Sequence, residues 1–162
     1  MHYKHELAIF INENSKVLIL GSFPSVKSRE YRFYYSHPQN RFFITLAKIF
    51  NEDCPLSIED RKIFLIKHDI ALYDVIEECD IEGSSDASIS NVTPIDIKKI
   101  LRDYPNICVI GVTGKKASSL FDIYLKDKID NHIKVIYLPS TSPANAKMSV
   151  DALAESYKQL FI

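Results

Sequence analysis

Residues 35–41 read Y-S-H-P-Q-N-R, placing a phenol, an imidazole, a carboxamide and a guanidinium within one short segment. The Asn40 amide can accept a hydrogen bond from a water and donate one to it without ionising. The His37 imidazole has two readings: an acid that protonates a leaving group, or a hydrogen bonder that fixes the loop ahead of Pro38. Asn40 likewise has a second reading, as the cap of a helix beginning beside it. Further along, residues 138–146 read L-P-S-T-S-P-A-N-A, a proline-stiffened run of hydroxyls. Ser140, Thr141 and Ser142 have no acid–histidine pair nearby in sequence, which argues against an acyl-transfer nucleophile. Such a loop can instead clasp a phosphate or lie against a groove.

A third segment precedes both. Residues 17–20 are V-L-I-L and run directly into G-S-F-P-S, the pattern of a buried strand emptying into a tight loop. Between Ser22 and Lys48 the cations Lys27, Arg29, Arg32, Arg41 and Lys48 face Glu30 alone, while the whole chain carries a net charge of −1. The net charge argues against wholesale electrostatic binding of nucleic acid, whereas a local cationic face suits a grip on a few phosphates. Aromatics interleaved with these cations suit something flat and anionic, such as DNA bases and their phosphates.

Elements must hold these segments together. Apolar, β-branched runs at residues 17–20, 70–75, 107–110 and 133–138 alternate with helical patterns. The helices are expected over residues 40–50, after Ser57, from Thr93-Pro94 through residue 102, over 115–125 and over 149–161. Strands alternating with helices of about ten residues imply an α/β fold of three layers, α/β/α, with a mostly parallel sheet of roughly four strands. Ligands of such sheets bind beyond the carboxyl ends of the strands. That rule selects the loops after Gly21, Asp74 and Pro139. Asp74 and Asp86 read as residues that order the second loop or cap helices.

The 162 residues, 46% hydrophobic and 25% charged, fit one domain spanning 1–162, with no internal repeat or linker. No apolar run approaches the roughly 20 residues of a membrane span, and the first residues lack a signal-peptide pattern. A cytoplasmic protein is expected. Cys54, Cys79 and Cys108 form no C-x-x-C pair, so neither a metal site nor a redox cofactor is implied.

G-S-F-P-S, H-P-Q-N-R-F-F and S-T-S-P-A-N-A occur in an order that resembles the uracil-DNA glycosylase superfamily, and nearest its branch of hypoxanthine-DNA glycosylases, often called family 6. The mismatch-specific uracil-DNA glycosylases are similar more distantly. The likeness spans nearly the whole chain, including L-Y-D-V-I-E-E-C-D and the final D-A-L-A-E-S-Y-K-Q-L-F. It implies that Asn40 orients the attacking water, because Phe23 stands where mismatch-specific relatives carry a catalytic Asn. It places Tyr35 against a flipped base, with Ser22, Phe23 and His37 around that base. Ser140, Ser142, Pro143 and Ala144 fall in the loop that presses into the minor groove, with Arg41 and Lys147 as further DNA contacts. Ser25, Phe43 and Ala144 depart from the usual glycine, tryptophan and bulkier wedge. The implied activity is that of a monomeric, monofunctional, cofactor-free DNA glycosylase acting on DNA with a deaminated base, hypoxanthine or uracil. The alternatives are a catalytically silent DNA- or nucleotide-binding module with the same fold, and a flavodoxin-like small-molecule binder, ranked last because G-S-F-P-S offers one glycine.

Overall fold

The computed structural model describes residues 1–83 and 85–162. Its centre is a parallel sheet of four strands, β2 (Val17–Gly21), β3 (Ile70–Asp74), β6 (Val109–Thr113) and β7 (Lys134–Leu138), in the order β3-β2-β6-β7. Every residue of β2 is buried, as a central parallel strand covered on both faces must be. Alternate side chains of β2 feed two cores. Leu18 and Leu20 pack with Ile97, Ala117, Leu120 and Phe121, so α4 (Ile97–Asp103) and α5 (Lys115–Tyr124) cover one face. Val17 and Ile19 pack with Phe42, Leu46, Leu65 and Leu153, so α2 (Phe42–Phe50), α3 (Ile58–Lys67) and α6 (Val150–Tyr157) cover the other. The expected three layers are thus present.

A second, antiparallel sheet pairs β1 (His2–Lys4), β4 (Ile76–Asp80) and β5 (Ser90–Pro94) in the order β1-β4-β5. It overturns the helix start expected at Thr93-Pro94. Pro94 pairs with Ile76 on an edge strand, where a missing N–H is tolerated, and Asp96 caps α4 by accepting from the Lys99 amide. The strand expected over 107–110 begins two residues later, at Val109. Ser57 caps α3 as expected, its hydroxyl accepting from the Asp60 amide.

A short helix, α1 (Val26–Tyr31), follows β2 and ends at Arg32 in the left-handed region. Tyr35 also has a positive φ of 55°. A bulky side chain adopts that conformation at a cost of about 1–3 kcal/mol and only where packing dictates it. Here the Tyr35 ring lies flat on Phe42, 3.8 Å between centroids and 6° from parallel.

Candidate active site

The last residues of the four parallel strands, Gly21, Asp74, Thr113 and Leu138, all line one cleft of about 1510 Å³. Its walls are the loops after β2 and β7, the segment around residues 34–40, and the start of α5. Ser22, Phe23, Tyr35, His37, Asn40, Ser140, Ser142, Pro143 and Ala144 all face this space. Residues more than a hundred positions apart converge because β2 and β7 are parallel, so both deliver their loops at the same end of the sheet.

Asn40 is held from two sides. Its Oδ1 accepts from the Phe42 amide at 2.9 Å, opening α2, and from the Thr141 hydroxyl at 2.8 Å. Both lone pairs of that oxygen are occupied, so the amide meets the cleft through its Nδ2 donors. The Asn40 side chain, one residue ahead of the Arg41 N-cap, thus supports the first turn of α2 and lines the cleft at once. His37 accepts from the Gln39 amide at Nδ1, 3.1 Å away, which puts the ring hydrogen on Nε2.

Phe23 is packed edge-on to His5, ring centroids 5.7 Å apart, and is nearly buried. The amides of Ser22 and Phe23 donate to no acceptor among the described residues, while the neighbouring carbonyls of Gly21 and Ser22 accept from Val75 and Ile76. The loop thus leaves two backbone donors without an acceptor at residues that line the cleft. The Tyr35 hydroxyl is buried and unpaired beside Thr113. Burial, reinforced by the charge of Asp74, pushes that phenol well above its ordinary range.

The loop after β7 is braced internally and from outside. Ser142 donates its amide to the Ser140 hydroxyl, and the Ser142 hydroxyl accepts from the Ala144 amide. Tyr157 on α6 donates to the Pro139 carbonyl at 2.5 Å. Arg41 donates to the carbonyls of Asn145, at 2.7 Å, and Met148. Its guanidinium is thus engaged with the loop backbone and stands outside the cleft wall, as does Lys147, which is exposed on the loop.

Several cleft residues carry no motif. Lys27, Lys115 and Lys116 join the wall, the last two at the start of α5. Asp86 faces them, accepting from the Ser22 hydroxyl at 3.1 Å, and desolvation raises its carboxyl above the usual range. Asp74 is 7% exposed and bonded at Oδ2 to His5 Nε2, 2.7 Å away, in a side chain only 1% exposed. Position at a strand end was the available signal for Asp74. His5 offered none, since its partner lies 69 residues away. Among the described residues, no group of His, Cys, Asp and Glu could hold a metal ion, and no helix is long and apolar enough to cross a membrane.

Comparisons with known proteins agree with this arrangement. Residues 8–161 match the sequence model of the Uracil DNA glycosylase superfamily. A hypoxanthine DNA glycosylase of Methanosarcina acetivorans is 31% identical over 146 residues, covering 90% of each chain. Another, of Methanosarcina barkeri, is 36% identical over 109 residues, covering 66% of this chain and 68% of its own. Among solved structures, the solution NMR structure of a Methanosarcina acetivorans protein assigned as a uracil DNA glycosylase superposes over 100% of both chains, with a TM-score of 0.81 and 26% identity. An α/β sheet whose strand ends gather the three sequence motifs at one cleft is thereby placed among its relatives, and the chain belongs to the uracil DNA glycosylase superfamily, whose members hydrolyse N-glycosidic bonds in DNA.

Proposed function

We propose that this protein is a monofunctional, monomeric glycosylase that releases a deaminated base from DNA, hypoxanthine first and uracil second. The observation that carries the reading is the meeting of Asn40, Tyr35 and Ser142 at one cleft. The two Methanosarcina relatives, each named a hypoxanthine DNA glycosylase, support hypoxanthine. Breaking the N-glycosidic bond leaves positive charge on the sugar and sends the bonding pair out with the base, as at other glycosidic centres. A water then bonds to C1′ and gives up a proton to the departed base or to solvent. Asn40 Nδ2 donates to that water's oxygen and fixes its position. The free amides of Ser22 and Phe23 meet the base, where negative charge collects.

Tyr35 supplies a stacking face. Phe42 covers one side of its ring, and the other is the side for a base. Such stacking is worth about 1–3 kcal/mol, comparable with the few kcal/mol needed to extrude a base. The loop of Ser140, Ser142, Pro143 and Ala144 presses on the duplex, while Lys27, Lys115 and Lys116 neutralise nearby phosphates. Duplexes carrying deoxyinosine, uracil or a G·T mismatch, treated with protein and then with alkali, test the reading. Strand breaks at deoxyinosine only after alkali are expected. No abasic sites on any duplex would sink it, and breaks before alkali would sink the monofunctional part.

One observation favours the silent binding module instead. Both acceptor positions of Asn40 Oδ1 are filled, and Phe23, at the position of the catalytic amide in mismatch-specific relatives, is a nearly buried hydrocarbon ring, so no side-chain acceptor is left at either place to orient a water. Binding of deoxyinosine DNA at low salt without base release, in the wild type and in Asn40→Asp alike, is the outcome that module would give.

A further inference from the structure

Residues 31–35 read Y-R-F-Y-Y, and the fold finds a place for every aromatic among them but the first. Phe33 and Tyr34 are buried, and Tyr35 lies flat on Phe42. Tyr31 is 51% exposed, and neither its ring nor its hydroxyl has a partner among the described residues. A single exposed aromatic is ordinary on a protein surface. The surroundings of Tyr31 are not. It stands four residues after Lys27 on α1, so the two side chains share one helix face. Val26 and Lys27 line the cleft, and Tyr31 does not. The face that begins in the cleft wall at Lys27 thus continues outside it to Tyr31.

The cations of this segment differ in what they have left to offer. Arg29 is committed: it donates to the Gly83 carbonyl at 2.7 Å, and its guanidinium lies over the rings of Tyr3 and Phe23. Lys27 lies 3.2 Å from Glu30, an exposed pair weak enough to exchange for a phosphate. Arg32 ends α1 with a left-handed φ of 59° and is exposed, without a side-chain partner among the described residues. Tyr31 therefore has an exchangeable cation one helical turn before it and a free one directly after it.

An open aromatic face between two such cations has a chemical complement, a nucleobase with a phosphate on either side. Stacking of this kind is tolerant of sequence because every base has a π-face. Within a duplex, however, each base is covered above and below by its neighbours. The α1 face can take a base only where the strand is unpaired. We infer that Lys27, Tyr31 and Arg32 form a stacking site for an unpaired base flanking the lesion, so that the chain accepts a deaminated base in single-stranded DNA. That role deepens the glycosylase reading and rests on it. One turn of helix, about 5.4 Å, separates Lys27 from Tyr31, within reach of a strand leaving the cleft past Lys27. With a net charge of −1 the chain has little general attraction for DNA, so one stack is a noticeable share of its affinity.

The test uses oligonucleotides with one deoxyinosine, single-stranded or annealed to a complement, with binding read by fluorescence anisotropy and hypoxanthine release followed on both forms. Tyr31→Ala is expected to weaken binding of the single strand on the order of tenfold and to leave the duplex unchanged. Tyr31→Phe, which keeps the ring, should bind both as the wild type does. An abasic spacer beside the deoxyinosine, placed on the 5′ side and then on the 3′ side, should cost the wild type the same factor on one side only. It should cost Tyr31→Ala nothing further on that side. Unchanged single-strand binding in Tyr31→Ala overturns the inference, and so do equal losses on single strand and duplex. A spacer that costs Tyr31→Ala as much as the wild type shows that another group holds the flanking base, and overturns it too. Release from the duplex with none from the single strand overturns the substrate part. If neither form yields hypoxanthine or uracil, the glycosylase reading falls, a result distinct from these because binding is read separately.

Discussion

Thr141 donates its hydroxyl to the side-chain oxygen of Asn40 at 2.8 Å, joining two loops 101 residues apart in the chain. Thr141 is almost fully buried, and its carbonyl in turn accepts from the Arg41 amide. The amide plane of Asn40 is thus fixed by its neighbours before any substrate arrives. A preset donor costs no reorganisation when charge develops.

Thr141→Val keeps the shape and removes the donor. Stability is expected to fall by about 1 kcal/mol, the net worth of one hydrogen bond. The single-turnover rate should fall further than this loss of stability accounts for, because Asn40 can then rotate. Urea melts beside single-turnover base release check the pair of effects.

Asn40→Asp retains an oxygen for Phe42 and Thr141 and replaces the Nδ2 donors with an acceptor. Base release is expected to drop on the order of 10²–10³-fold, as for loss of one preset donor at a reacting centre. DNA affinity should change little. A rate within a factor of two of the wild type would show that the amide donors are not used.

Arg41 and the α5 lysines should separate in salt titrations. Arg41 is bonded to loop carbonyls, so Arg41→Ala should weaken binding without changing the slope of log K against log[salt]. Lys115→Ala and Lys116→Ala should each flatten that slope by about 1, the mark of one lost phosphate contact. Fluorescence anisotropy between low and moderate salt reads both.

Gly21→Ala puts a methyl group 2.6 Å from Asp74 Oδ1. Asp74 or the strand end must shift, and base release should fall at least on the order of tenfold, by the same reasoning that makes small misplacements costly at a site. A thermal melt shows whether the fold persists.

Acid should weaken the fold at Glu52, whose carboxyl is held below its ordinary value of 4.5 chiefly by a hydrogen bond from Lys67, with His68 assisting. A folded-state value below the unfolded one means the contribution is complete above about 4.5 and is lost as pH falls through the lowered folded value. Glu52→Gln should therefore narrow its stability gap to the wild type as the pH is taken down through that range. Denaturation midpoints at matched salt provide the measurement.

The parallel sheet was legible because strands buried on both faces are written as continuous apolar runs, V-L-I-L above all. The antiparallel sheet was not, because its strands are short and half exposed, and Thr93-Pro94 mimics a helix start where Pro94 in fact lies on an edge. The three motifs pointed to one end of the sheet. The directions of their side chains were hidden. R-F-F in sequence reads as a cation available to phosphate, but the Arg41 head turns to the carbonyls of the opposite loop. His5 and Asp74 meet only through the fold, so no local pattern could name them as a pair.

Asn40 and Arg41 are consecutive, and each ends on the loop after β7, one through Thr141 and the other through Asn145 and Met148. In the proposed glycosylase, the loop set against the duplex and the Asn40 amide set against the water are therefore two ends of a single lever. A push on that loop is therefore transmitted through Thr141 and Arg41 to the plane of the Asn40 amide. A change in the length of the loop after β7 would, by the same contacts, reset the orientation of that amide.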